Sequence, residues 1–310
     1  MRAAPPAPTP DSTPPPNAPS LATDPAATAD LPPEDLRWLL NAHNNAQLTS
    51  DAYWVPDAAH MDATRKTKPW RKDEDYFKEV KLSLLAALRM FIHSMRGAPD
   101  PRRGTMDWFE VMGLLVGHYQ DGVLYVMDSF ALPVEASQVE CCMTQESQIH
   151  MADQLSKYRA LGRPDRGCIG WYHTHPGYTC FLSRIDVDTQ QQSQRVMDPY
   201  VALVLDPVHT LSTGELHVKA FRTYTEPVAL QKLEEMQTKG GRGETGGRME
   251  VPSERIKERG KFAHYYYDLP ITLVRSSADA AQLDALVAQY WGQFFASNAL
   301  LANQVSARSA

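Results

Sequence analysis

His173-Thr174-His175-Pro176, with Ser183 and Asp186 close behind, constrains this chain more than any other stretch of it. Two histidines separated by one residue project to the same side of an extended backbone. The residues leading to them, 168–173, are largely apolar and read as a buried strand. Pro176 and Gly177 then turn the chain, and a helix is predicted from about Ile185. A strand end, a turn and a helix start must therefore meet. Two neutral imidazoles and a carboxylate, here His173, His175 and Asp186, suit a catalytic zinc, where three protein ligands leave the fourth tetrahedral position to water. Structural zinc sites are instead closed and usually rich in Cys. Ser183-x-x-Asp186 is also the spacing of a helix capping box, which needs no chemistry.

Glu110 is the second constraint. It lies in the strongly apolar run 108–117, read as part of a strand over residues 106–118. A carboxylate in such surroundings needs a partner or a purpose. Service as general base toward an activated water supplies one.

Taken together, Glu110, His173-x-His175-Pro176 and Ser183-x-x-Asp186 resemble the JAMM motif of the catalytic MPN-domain metalloproteases, and the chain is identified as a member of that family. Lys68-Pro69-Trp70 and the segments 75–78, 110–113, 127–135, 170–173 and 220–224 are similar to those of the catalytic MPN subunits of the COP-nine signalosome. The resemblance runs from about Asn41 to about Gln304. It implies an α/β fold of the MPN (cytidine-deaminase-like) kind, a curved β-sheet flanked by helices, with helices added at the C-terminus. It also implies a zinc-dependent isopeptidase that removes the ubiquitin-like neddylation modifier from cullins and so regulates cullin-RING ubiquitin ligases.

On that reading one zinc per chain is held by His173, His175 and Asp186. Glu110 takes the proton of the attacking water and later delivers it to the leaving amine, and Ser183 donates a hydrogen bond to the developing oxyanion. The partners implied are the other signalosome subunits, among them a non-catalytic MPN subunit, and neddylated cullins. A proteasome-lid-type JAMM deubiquitinase shares the motif, but the segments 68–70, 130–133 and 221–224 argue against it. Non-catalytic MPN scaffolds lack the ligands that this chain carries. A zinc nucleobase deaminase needs His-x-Glu and Pro-Cys-x-x-Cys, and neither occurs.

The site loop departs from the family pattern without losing a ligand. Thr174 stands where Ser is commoner, Thr179 and Arg184 where Gly is usual, and Phe181 where Trp is usual. Segment 137–144, with Cys141 and Cys142, falls where the family has an insertion loop that sometimes occludes the zinc. Glu140 is the candidate autoinhibitory contact there.

A chain of 310 residues with 43% hydrophobic content can bury one good-sized core with appendages. Its 31 basic and 37 acidic residues give a net charge of −6, and no Lys/Arg stripe marks a nucleic-acid surface. Four Cys at irregular spacing suit reduced thiols better than a disulfide framework, with Cys168 as packing and Cys180 as a weak candidate ligand. No window approaches about 18 uninterrupted apolar residues, so no membrane span is expected. Residues 1–33 hold 11 of the 23 prolines and lack the apolar core of a signal peptide, which leaves cytoplasm and nucleus as the expected location.

The composition divides the chain into a disordered tail (1–40), a catalytic domain with an N-terminal extension (41–225), a glycine-containing linker (226–250) and a helical region for complex assembly (251–310). In the last, Leu283, Leu286, Val287, Tyr290, Trp291 and Phe294 form an apolar stripe expected to enter an intermolecular bundle. Elsewhere Ser83 is expected to cap a helix over 84–95, Asp121-Gly122 to turn a hairpin, residues 145–160 to be helical, and 200–205 and 215–223 to be strands. His93, His118, His209 and His217 read as surface or satisfied core histidines.

Overall fold

The computed structural model describes residues 37–48, 51, 57–132, 145–160, 167–238, 262–277, 279–286 and 288. Glu140, Cys141, Cys142, residues 1–36 of the expected disordered tail, and Val287, Tyr290, Trp291 and Phe294 of the stripe lie outside them; residues 37–40, also assigned to that tail, are instead helical, with Trp38 and Leu39 seated in the main core. In chain order the elements are α1 (Arg37–Asn45), β1 (Gln47–Leu48), α2 (Ala58–Thr67), β2 (Glu79–Ser83), α3 (Leu84–Ser94), β3 (Met112–Gln120), β4 (Val123–Ala131), α4 (Gln145–Ala160) and β5 (Gly167–Thr174). There follow α5 (Arg184–Met197), β6 (Val201–Leu205), α6 (Pro207–Thr213), β7 (Val218–Thr223), α7 (Glu226–Thr238), β8 (Tyr266–Leu269) and β9 (Ile271–Arg275).

The β3–β4 hairpin lies at the middle of the sheet. Its two-residue loop, Asp121 (φ 49°) and Gly122 (φ 76°), has both residues left-handed, as a twisted hairpin of this length requires. β5 joins the other edge of β3 antiparallel, with Gly113 opposite Tyr172. A Cβ on Gly113 would come within 2.4 Å of both the Phe130 carbonyl and the Tyr172 ring, so glycine lets that ring cross the strand. β6 lies parallel to β5 after the α5 crossover and is buried on both faces. Val201, Leu203 and Leu205 join the core with α1, α3 and the C-terminal strands, whereas Ala202 and Val204 pack with Trp171, Leu182 and Val187. Each fully buried Val or Leu contributes about 1.5–3 kcal/mol.

The full order is β1-β9-β2-β4-β3-β5-β6-β7-β8, one nine-stranded mixed sheet. β8 pairs with β7 at one margin, and β9 sits between β1 and β2 at the other. Pro270 alone separates β8 from β9, and its carbonyl accepts from Val80 N at 2.9 Å. The sheet therefore curves until its margins nearly meet, with helices against it, as the α/β expectation required.

Several boundaries differ from the sequence reading. β3 starts at Met112, not Met106, because Phe109 N bonds to Gly97 O and Val111 N to Thr174 Oγ1 instead of continuing the strand ladder. Residues 226–238 of the expected linker form α7. Region 251–310 is not purely helical, since β8 and β9 complete the sheet that carries the two histidines. Residues 279–286 are helical, but Leu283 is 1% exposed in the main core and Leu286 packs against it. The first residues of the apolar stripe thus pack on this chain's own core, and the rest of it lies outside the described residues. Ser83 stands at the N-cap of α3 without a side-chain capping bond.

Candidate metal centre

Alternation along β5 aims the first histidine. Tyr172 faces α3, where its hydroxyl meets His93 Nδ1 at 2.9 Å. Trp171 and His173 face α5. The Trp171 ring stacks on the His173 ring at 4.6 Å and 15°, and its Nε1 donates to Gln190 Oε1 of α5 at 2.8 Å. At the strand end Thr174 N bonds to Val111 O at 3.0 Å and His175 N to Leu205 O at 2.8 Å, so β6 fixes the main chain of the second histidine. The chain then turns through Gly177 (φ 81°) and reaches α5.

Ser183 caps α5 with a reciprocal capping box. Its Oγ accepts from Asp186 N at 3.3 Å, and Asp186 Oδ2 accepts from Ser183 N at 2.8 Å. The structural and chemical readings of Ser183-x-x-Asp186 are therefore compatible, because the cap is what points the Asp186 carboxylate back at β5. Asp186 Oδ2 lies 3.4 Å from His173 Nε2 and 3.7 Å from His175 Nε2, and the two Nε2 atoms are 3.0 Å apart. A tetrahedral zinc with bonds of about 2.0–2.2 Å spaces its ligand atoms about 3.3–3.6 Å apart, which these distances bracket.

The donor chemistry fits as well. His175 Nδ1 donates to the Thr179 carbonyl at 3.0 Å, so the Nε2 lone pair faces the shared point. Among the described residues, this is the one group of His, Cys, Asp and Glu side chains with metal-binding proximity.

All three side chains are 1–3% exposed, and their charges are set by one another. Burial disfavours a proton on His173, but the Asp186 carboxylate, with Glu110 adding to the field, outweighs it and raises the His173 pKa. For His175 burial wins over Asp186, and its pKa falls. Burial alone would raise that of Asp186, yet the two imidazoles hold it well below the usual carboxylate range. A divalent cation between them would replace the shared proton.

Glu110 sits two residues before β3 and accepts a hydrogen bond at Oε1 from the Tyr178 hydroxyl. The Tyr178 ring also stacks on His175 at 4.5 Å. Tyr178 was not singled out in the sequence, and neither was Asp206, whose carboxylate accepts from Gly177 N and Thr179 N. The Gly-Tyr-Thr segment has no periodicity to mark either contact; only a capping position before Pro207 could have drawn attention to Asp206.

Cys180 is not among the ligands, since its Sγ points to the His217 carbonyl at 3.7 Å and burial pushes its thiol up to about 12. Cys168 is partly buried against the smaller core cluster, its thiol pushed by burial to about 11. Of the remaining histidines, His118 stacks on Tyr125 at 4.7 Å, and His209 and His217 pack edge to face at 3.8 Å. Arg184 pairs with Asp188 at 3.0 Å and lies over the rings of Phe262 and Tyr265. A cleft of about 380 Å³, walled by Trp70, Arg195, Arg222 and Tyr224, opens toward the other end of α5 and includes none of His173, His175 and Asp186.

A curved mixed sheet that joins two histidines and an aspartate at a strand–turn–helix junction is the architecture of an MPN domain. The family profile described as JAB1/Mov34/MPN/PAD-1 ubiquitin protease matches residues 75–199. The chain is 35% identical over 268 residues to COP9 signalosome complex subunit 5 of Drosophila melanogaster, covering 86% of this chain and 75% of that protein. It is 36% identical over 256 residues to subunit 5a of Arabidopsis thaliana (82% and 66%) and 36% over 264 residues to subunit 5 of Gibberella zeae (84% and 72%). The chain belongs to the COP9 signalosome complex subunit 5 family. Among the described residues no helix is long and apolar enough to cross a membrane.

Proposed function

We propose that this protein is a zinc-dependent isopeptidase that removes a ubiquitin-like modifier from neddylated cullins, working as the catalytic subunit of a signalosome in cytoplasm and nucleus. The observation that carries the reading is the convergence of His173 Nε2, His175 Nε2 and Asp186 Oδ2 at 3.0–3.7 Å, with Glu110 held beside them by Tyr178. Zinc bound by these three side chains supplies Lewis acidity toward the scissile carbonyl and toward water.

The remaining work falls to the chain itself. Glu110 accepts the proton of the attacking water and passes it to the departing lysine amine, a role worth about 10²–10⁴ in rate. Tyr178 fixes the Glu110 carboxylate for that transfer. The Ser183 hydroxyl accepts from Asp186 N, which leaves its own hydrogen to donate to the developing oxyanion, a contact worth about 2.7–4 kcal/mol. No covalent intermediate is needed. The other signalosome subunits, a non-catalytic MPN subunit among them, are the proposed partners.

The deciding experiment assembles the complex with this chain and offers it a neddylated cullin and a polyubiquitin chain side by side. Preferential release of the cullin's modifier, abolished by a zinc chelator, is expected. Preferential cleavage of polyubiquitin would move the protein to the proteasome-lid activity, and inertness on both would leave a scaffold.

A further inference from the structure

We propose that Asp206 is a positioning residue for the metal centre: it clamps the turn after His175 so that the Thr179 carbonyl orients the His175 imidazole. The inference rests on the zinc reading above. Asp206 sits at the junction of β6 and α6 and is 1% exposed. Among the described residues it makes no ion pair, although a buried carboxylate normally needs compensation. Its bonds show where the compensation lies. Oδ1 accepts from His209 N at 3.0 Å, the capping bond of α6, and from Gly177 N at 2.9 Å. Oδ2 accepts from Thr179 N at 3.0 Å. Capping alone would be served as well by a neutral Asn or Ser. The second oxygen and the charge are used by the turn.

That turn needs holding. Thr179 has φ 70°, a left-handed conformation that a β-branched residue adopts only when its surroundings enforce it. Its N–H is fixed by Asp206, and its carbonyl receives His175 Nδ1 at 3.0 Å. Asp206 is itself rigidly placed: its N donates to His217 O at 2.9 Å, and the preceding Leu205 carbonyl takes His175 N at 2.8 Å. The end of β6 thus grips the second ligand twice, through its main chain directly and through its ring by way of Asp206 and Thr179. Partners that orient a ligating imidazole in this way typically change metal affinity about 10–100-fold when removed.

Asp206→Asn tests the assignment with little change of shape. The amide offers one acceptor, so either Thr179 N or the Gly177–His209 pair must face an NH2 group. The full chain, stripped of metal, is titrated with zinc in competition with a chromophoric chelator, and separately with cobalt(II) while the visible spectrum reports the ligand geometry. The expected result is zinc affinity about 10–100-fold weaker than wild type and an altered cobalt spectrum, with far-UV circular dichroism unchanged. Asp206→Ser retains an acceptor for His209 N, so α6 stays capped while both turn contacts go; the loss should be at least as large.

Wild-type zinc affinity and cobalt spectrum in both variants would overturn the proposal. So would a lower melting temperature of the metal-free variants with unchanged affinity of the folded protein, the signature of a purely structural aspartate. A wild-type chain that binds no zinc would sink the proposed function as well. Binding by wild type and variants alike removes only the role of Asp206.

Discussion

At Glu110 a carboxylate is fixed by a tyrosine hydroxyl against two imidazoles that share an aspartate, and each residue can be separated by its atoms. Glu110→Gln keeps the shape and removes the base; turnover should fall by about 10²–10⁴, with zinc by elemental analysis near one per chain. Loss of zinc in that variant would make Glu110 a ligand. Tyr178→Phe keeps the stack on His175 and removes only the hydroxyl, so activity should fall by about tenfold or more while metal content stays constant. Asp186→Asn should lose both metal and activity, and full metal occupancy there would remove Asp186 from the ligand set. The meeting of His173, His175 and Asp186 was legible in the sequence because their types are costly to bury without purpose; Glu110 drew attention for the same reason but is only half-buried in the loop before β3. Tyr178 and Asp206 were not, because their partners are backbone groups and side chains that only the folded turn brings near.

Among the elements, α5 was legible from its cap and β5 from its apolar run, whereas β2 was missed although Glu-Val-Lys-Leu-Ser alternates as a strand should. Its apolar residues, Val80 and Leu82, are both fully buried. On α3, burial and then the charge of Arg96 depress the His93 pKa from 6.5 to about 4. The folded protein therefore resists protonation there, and the unfolded chain binds more protons between those values. This contribution is fully present above about pH 6.5 and is lost as pH falls toward about 4. His93→Gln should flatten that part of the curve. Melting temperatures at pH 7 and pH 5 should differ less for the variant than for wild type, and an equal difference would show that His93 does not carry the acid sensitivity.

Across the whole molecule, the C-terminal third was the least legible part. The run 266–275 reads weakly because Pro270 interrupts it, yet that proline is the step between the two strands that close the sheet. Of the apolar stripe that suggested a partner helix, Leu283 is seated in this chain's main core, and the aromatic members lie outside the described residues. Leu283→Ala should cost about 2–5 kcal/mol in urea unfolding, and a change within a few tenths would mean that the helix rests on the surface. A chain ending at Thr238 loses β8 and β9 and should show neither a cooperative transition nor zinc uptake.

The pairing of β9 with β2 has a further consequence in time. Thr272 and Glu79, hydrogen-bonded across those strands, stand 193 residues apart in sequence. During synthesis His173, His175 and Asp186 have all left the ribosome well before the last strand that steadies their sheet, so the nascent chain must carry an open-edged half for several seconds at about 5–20 residues per second. Contacts of such long range also slow the search for the native state. Cellular production of this protein should therefore depend on whatever shields an unpaired β-edge until Ile271 arrives.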